Sequence, residues 1–149
     1  MKSTETFMAE TILEIMKKDH LHLHELMDGI EKESIKGVAN LEDSFDNFKF
    51  EVENHMLIEE KAIFSYLEED SEAGRISINR LLEDHELLRE LINELELELQ
   101  NSSEVDLSNL KDAWDAHENF EENSFYDRLD EELDTGKKQE IIERIKEFR

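Results

Sequence analysis

The chain has 149 residues, 17 basic and 41 acidic side chains and a net charge of −24, a length that suits one domain with one core and a surface that repels phosphate backbones and anionic lipid heads. It contains no cysteine, which excludes disulfides, thiolate metal ligands, Cys-ligated iron-sulfur clusters and thiol catalysis within this chain, and no proline, which suits long helices. Nucleic-acid and membrane partners are therefore not expected. The start, Met1 to Phe7, lacks the apolar run of a signal peptide, and no later stretch approaches the roughly 18 apolar residues of a membrane span, so a cytoplasmic protein is expected.

Side chains recurring every three and four positions line one face of a helix, and this spacing occurs four times. The first stripe is Leu13, Met16, His20, Leu23, Met27 and Ile30, ending near Gly37, a residue suited to a helix stop. The second runs Phe45, Phe48, Val52, His55, Glu59, Ala62 and Tyr66, before a break at Asp70-Ser71-Glu72-Ala73-Gly74. The third is Ile78, Leu81, His85, Leu88, Ile92, Leu95 and Leu99, ended by Asn101-Ser102-Ser103. The fourth is Leu107, Leu110, Trp114, His117 and Glu121, drifting to Phe125 and Leu129, and Thr135-Gly136 breaks the pattern again. The spacing predicts an all-α fold: an antiparallel up-down-up-down four-helix bundle over about residues 8–133, with a short fifth helix over about 137–148 carrying Ile141, Ile142 and Ile145, in a single domain of residues 1–149.

The polar interruptions of these apolar stripes are His20, His55, Glu59, His85, His117 and Glu121, all at mid-helix. A carboxylate facing a dry core costs several kcal/mol unless it is paired, protonated or bound to a metal, so two glutamates with four histidines point to metal. One such histidine alone would read as an ordinary imidazole; four in register with two glutamates reverse that reading. Residues four apart lie one turn apart on one face, so two facing His-x-x-x-Glu pairs can converge on neighbouring metals, bridge them with two carboxylates and leave room for an oxide or hydroxide bridge and an open position. The halves repeat: Lys18-Asp19-His20 matches Glu83-Asp84-His85 at an offset of 65, and His55 to Glu60 matches His117 to Glu122 at an offset of 62, each followed by an aromatic nine residues beyond the histidine (Phe64, Tyr126). An internal duplication with a pseudo-twofold site follows.

The order His, His-x-x-x-Glu, His, His-x-x-x-Glu on four helices, over residues 10–133, resembles the hemerythrin-like, or HHE cation-binding, family. The resemblance implies two iron ions in a non-heme di-iron centre, oxo- or hydroxo-bridged, with His20, His55, Glu59, His85, His117 and Glu121 as ligands. Oxygen-carrying members have a second histidine one turn away on the third helix, where this chain has Leu81 and Arg89 beside His85. Here His24 lies one turn after His20 on the first helix, so the expectation is that His20, His24 and His55 bind one iron and His85 and His117 the other, a three-plus-two arrangement in mirror order with His24 as a further candidate ligand. His22, on the opposite side of that helix, is expected in solvent. Carriers also separate the last histidine and carboxylate by one more residue than His117 and Glu121, which sets oxygen transport aside in favour of the wider family.

Trp114, Phe48 and Phe120 read as core packing that excludes water from the metals. Glu60 and Glu122, one position past the glutamates of the stripes, read as surface charges, and Tyr66 and Tyr126 are candidate donors of hydrogen bonds behind the ligands. Three classes of function remain: a binding protein that stores, senses or scavenges O2 or NO, with a separate protein partner if it is a sensor; a di-iron centre that reduces NO or peroxide or donates iron to damaged iron-sulfur clusters; and a zinc-bound or metal-free bundle acting through its surface. First-row affinity order favours zinc over Fe(II) at a generic site, so the expectation of iron rests on the ligand set and the resemblance. Together they suit a metal and small-ligand binding protein better than a turnover enzyme.

Overall fold

The structure is a computed structural model that describes residues 10–36, 41–67, 72–101 and 105–148. All regular structure among them is helical, in five helices. Helix α1 is Ile12–Lys36. Helix α2 covers residues 41–67: it is α-helical over Leu41–Ile58, passes through a π-helical turn at Glu59–Phe64 and resumes at Ser65–Leu67. Helix α3 is Glu72–Asn101. Helix α4 covers residues 108–132 and repeats the plan of α2, with Ser108–Phe120, a π turn at Glu121–Phe125 and Tyr126–Glu132. Helix α5 is Thr135–Glu147.

Local chemistry sets several of the ends. Thr11 and Glu14 form a reciprocal capping box at the start of α1, with the Glu14 N–H donating to Thr11 Oγ1 and the Thr11 N–H to Glu14 Oε1, each at 3.1 Å. The next two amides, of Ile12 and Leu13, donate to the carboxylate of Asp130 at 3.1 and 3.0 Å, which ties the start of α1 to the end of α4. Near the other end of α1, Ser34 Oγ accepts from the Val105 N–H just ahead of α4, at 3.1 Å. The last break falls at Leu133-Asp134 rather than at the expected Thr135-Gly136. Asp134 accepts from the Lys137 N–H at 2.9 Å, and this cap carries Thr135 and Gly136 into the first turn of α5. Glu72 to Gly74 likewise belong to α3 rather than to the expected break, since one glycine costs a helix only about 1 kcal/mol. The stop expected near Gly37, Asp70-Ser71 and Ser102-Ser103 lie outside the described residues.

Two apolar clusters fill the interior. One gathers Ile12, Met16, Ile63, Leu81, Tyr126 and Ile141, and the other gathers Met27, Phe45, Phe48, Met56, Ile92 and Trp114. At about 1.5–3 kcal/mol for each large apolar side chain buried, these clusters supply the stabilisation against which the polar layer between them must be held. Helix α5 seals the first cluster with Ile141 and Ile145, both fully buried. Its Arg144 donates from Nε to the Ala62 carbonyl at 3.1 Å and from Nη2 to the Lys61 carbonyl at 2.6 Å, two carbonyls inside the π turn of α2. No described helix is long and apolar enough to cross a membrane.

Candidate metal centre

His20 and His55 come from facing positions on α1 and α2, with ring centroids 5.1 Å apart, and His85 and His117 repeat the pairing between α3 and α4, also at 5.1 Å. Glu59 and Glu121 lie between the pairs, each with no exposed surface. Each glutamate reaches both its own helix and one across the layer. Glu59 Oε1 is 3.3 Å from His55 Nε2 and 3.0 Å from His85 Nε2, while Glu121 Oε1 is 3.3 Å from His117 Nε2 and 3.0 Å from His20 Nε2. Two compact donor groups result, His20 with His55 and His85 with His117, and both glutamates belong to each. The structure thus brings together all six residues singled out by the stripes.

The outward nitrogens of the four rings meet a second set of carboxylates. His20 Nδ1 hydrogen-bonds to Glu122 Oε2 at 2.7 Å, His85 Nδ1 to Glu60 Oε2 at 2.6 Å and His117 Nδ1 to Asp84 Oδ2 at 3.1 Å, while Asp19 Oδ2 lies 3.5 Å from His55 Nδ1. An acceptor at Nδ1 keeps a proton there, so that on metal binding it is Nε2, facing the glutamates, that would give up its proton and serve as the ligand atom. This corrects the reading of Glu60 and Glu122 as surface charges. Both glutamates lie at the start of a π turn, one residue past the core stripe, where a side chain flanks the neighbouring helix rather than facing solvent. Asp19 and Asp84 carry no such role in the sequence reading either. The signal that could have found all four is their repetition, Asp before one histidine and Glu after one glutamate in both halves.

Tyr126 takes the role open to it, donating from its hydroxyl to Glu59 Oε2 and, at 3.4 Å, to Glu121 Oε2. Tyr66 does not reach the layer; its hydroxyl hydrogen-bonds to Glu140 on α5. Phe64, the counterpart of Tyr126, instead stacks on the His85 ring at 5.7 Å. Trp114 is core, and its indole lies edge-on to His20 and His55, 5.8 and 5.9 Å away, and against His117 at 5.8 Å. Phe48 is buried in the same cluster, whereas Phe120 is half-buried under the Arg80 guanidinium.

His24 is not brought to the buried groups. Its ring is 30% exposed, with Nε2 3.0 Å from Glu118 Oε2 and 3.8 Å from Asp115 Oδ1, in a separate outer group. His22 is exposed, as its place on the helix requires.

Several buried atoms of the layer lack a hydrogen-bond partner, among them both ring nitrogens of His55 and His117 Nε2. Each such atom in a dry interior costs about 1–3 kcal/mol, and a cation between the rings would satisfy the Nε2 atoms. Imidazole and carboxylate donors suit first-row divalent metals, so the donor set fits. The electrostatics agree. Burial is the largest influence on His20 and opposes its charge, but hydrogen bonds to Glu121 and Glu122 outweigh it and raise the ring to about 10; the same balance with Glu59 and Glu60 raises His85 to about 9. Burial likewise opposes the charge of Glu59, yet the His55 imidazole and hydrogen bonds within the layer hold it well below the ordinary carboxylate range. Without a cation, protons balance the two carboxylates, and metal binding would displace them.

The family model of the hemerythrin HHE cation binding domain matches residues 11–129. The chain therefore belongs to that family. No curated protein and no solved structure matches it. The matched residues contain all six of the buried histidines and glutamates, so the cluster lies inside the part of the chain that defines a cation-binding domain.

Proposed function

We propose that this chain is a non-heme di-iron protein that binds O2 or another small diatomic ligand such as NO, for storage, sensing or scavenging. In this reading residues 1–149 form a single domain, α1 to α4 run up-down-up-down, and the site lies at mid-bundle. Support for that topology comes from the hydrogen bonds that join the start of α1 to the end of α4 and the end of α1 to the start of α4. His20 and His55 would hold one iron and His85 and His117 the other, with Glu59 and Glu121 bridging. The observation that carries the reading is the membership of both glutamates in both donor groups, because a carboxylate shared between two histidine pairs serves two adjacent cations. His24 is left outside this ligand set.

Bound iron would supply the redox change and the open position for the diatomic ligand. The residues of the chain would do the rest. Glu122, Glu60 and Asp84 orient three of the rings by hydrogen bonds, with Asp19 close to the fourth, Trp114 and Phe64 keep water from the imidazoles, and Tyr126 keeps a proton beside Glu59 and Glu121. That proton favours a second reading, reduction of NO or peroxide, over iron donation to iron-sulfur clusters, since such reductions consume protons at the site. A cytoplasmic setting suits either.

The test is anaerobic reconstitution with Fe(II), a count of iron per chain, and absorption spectra before O2, after it and after its removal. Two irons with a band that appears and disappears with O2 support the binding reading. Two irons oxidised irreversibly move the function to NO or peroxide reduction, and a chain that takes up only colourless zinc contradicts both.

A further inference from the structure

The two halves of the layer differ in what covers them. On the side of α1 and α2 a cleft of about 270 Å3 is lined by Asp19, His22, Glu51, Asn54 and Ile58 and reaches the buried His55 ring, both of whose nitrogens lack a hydrogen-bond partner. At the repeat offsets, the α3 and α4 side keeps Asp84 for Asp19 but has Leu87 for His22, Ala113 for Glu51, Ala116 for Asn54 and Phe120 for Ile58. The Arg80 guanidinium also sits 3.9 Å from the centre of the Phe120 ring, which adds a positive charge to that side. The first side thus has one more carboxylate, an amide and an imidazole and opens onto a ligand-type nitrogen, and the second has apolar side chains at those three places and carries a cation.

We propose that the cleft between α1 and α2 is the entrance through which hydrated divalent cations reach the centre, and that the α3 and α4 face is closed to them. The inference rests on the metal-binding reading above and adds a route to it. Size permits it: six waters at about 30 Å3 each take roughly 180 Å3, so the cleft of about 270 Å3 admits a cation with its first hydration shell. The lining chemistry fits the sequence of exchange. Carboxylates of Asp19 and Glu51 attract and partly replace the water shell, the His22 imidazole at the rim offers a borderline ligand, and the buried His55 ring draws the ion inward. Converging carboxylates with low-dielectric walls also raise the local cation concentration and the rate of capture. The chain's strong negative charge draws cations to the whole surface, so it is the difference between the two faces that makes the route specific.

The experiment is stopped-flow mixing of the metal-free full chain with Co(II), followed by its visible absorption, for the wild type, for Glu51→Gln/His22→Gln and for Asp115→Asn/His24→Gln. Glu51 and His22 are not among the buried donors, and circular dichroism checks that both variants keep their helix content. The expected result is loading about tenfold slower or more in Glu51→Gln/His22→Gln, with the wild-type number of ions at the end and a weaker dependence on ionic strength. An unchanged rate in that variant, or a slowing confined to Asp115→Asn/His24→Gln, overturns the entrance while leaving the centre intact. A wild-type chain that takes up no Co(II) overturns the metal reading itself, and the entrance with it.

Discussion

The half built from α1 and α2 and the half built from α3 and α4 agree at the histidines, the two central glutamates and the carboxylates behind the rings, and diverge at most places around them, including Tyr126, whose hydroxyl reaches Glu59 and Glu121 where Phe64 has none. His20 and His85, His55 and His117, Glu59 and Glu121, and the outer pairs Glu60 and Glu122 and Asp19 and Asp84 match in type, position and partner. Even the π turns begin at the same place. Beyond that ring the halves part: His24 stands where Arg89 does, Phe64 where Tyr126 does, and Glu51 where Ala113 does. Groups that would bind or orient around a shared pair of cations are constrained together, because a change in one shifts the geometry of all. Groups that only neutralise charge or fill space behind them need not match. Arg89 shows this, since its guanidinium donates to Glu53 at 3.4 Å and to Glu60 at 3.2 Å, while the corresponding place near His24 has Asp115 and Glu118.

That contrast can be broken hardest at the shared glutamates. Glu59→Ala and Glu121→Ala each remove a member of both donor groups, so either is expected to lose both metals rather than one, measured as iron per chain, with helix content by circular dichroism retained. Retention of two irons in both variants contradicts the shared site. The next effect is at the outer carboxylates. Glu60→Gln and Glu122→Gln weaken the acceptors that orient His85 and His20 and are each expected to lower metal affinity by about 10–100-fold, read by competition with a chelator. Equal losses from the two would uphold the equivalence of the halves, and a loss from only one would break it.

Smaller still is the effect of the odd aromatic. Tyr126→Phe removes the donor to Glu59 Oε2 in a fully buried place, and the metal-free chain is expected to lose about 1–3 kcal/mol of stability in thermal or urea unfolding. Phe64→Tyr adds a hydroxyl against His85 on the other side, so any rescue of the double variant shows that the two places are interchangeable. The smallest effect is expected at His24. His24→Ala should leave the iron count at the wild-type value, and a halved count would restore the ring to the ligand set.

The stripes made the helices and the six inner residues legible, because burial every three and four positions is a strong signal and a glutamate inside such a stripe contradicts it visibly. Ends were less legible: Asp134 rather than Gly136 decides where α5 begins, and a side-chain cap outweighs one glycine. The outer carboxylates were missed for a geometric reason. Glu60 and Glu122 lie about 100° round from the central glutamates, at the seam with the neighbouring helix, and whether such a seam position meets solvent or a ring on that helix is not set by spacing along one helix. His24 failed in the opposite way. Its spacing from His20 suits the face, but three acidic groups on α4, Asp115, Glu118 and Glu122, lie beside the middle of α1 that it occupies, and its ring pairs with two of them.

The most direct measurement of the central claim is a crystal structure of the chain loaded with Fe(II), with anomalous scattering collected at the iron edge. Two peaks about 3.5–4 Å apart are expected in the layer between Glu59 and Glu121, one beside His20 and His55 and the other beside His85 and His117. A single peak, or iron bound only in the outer group of His24, Asp115 and Glu118, would contradict that claim.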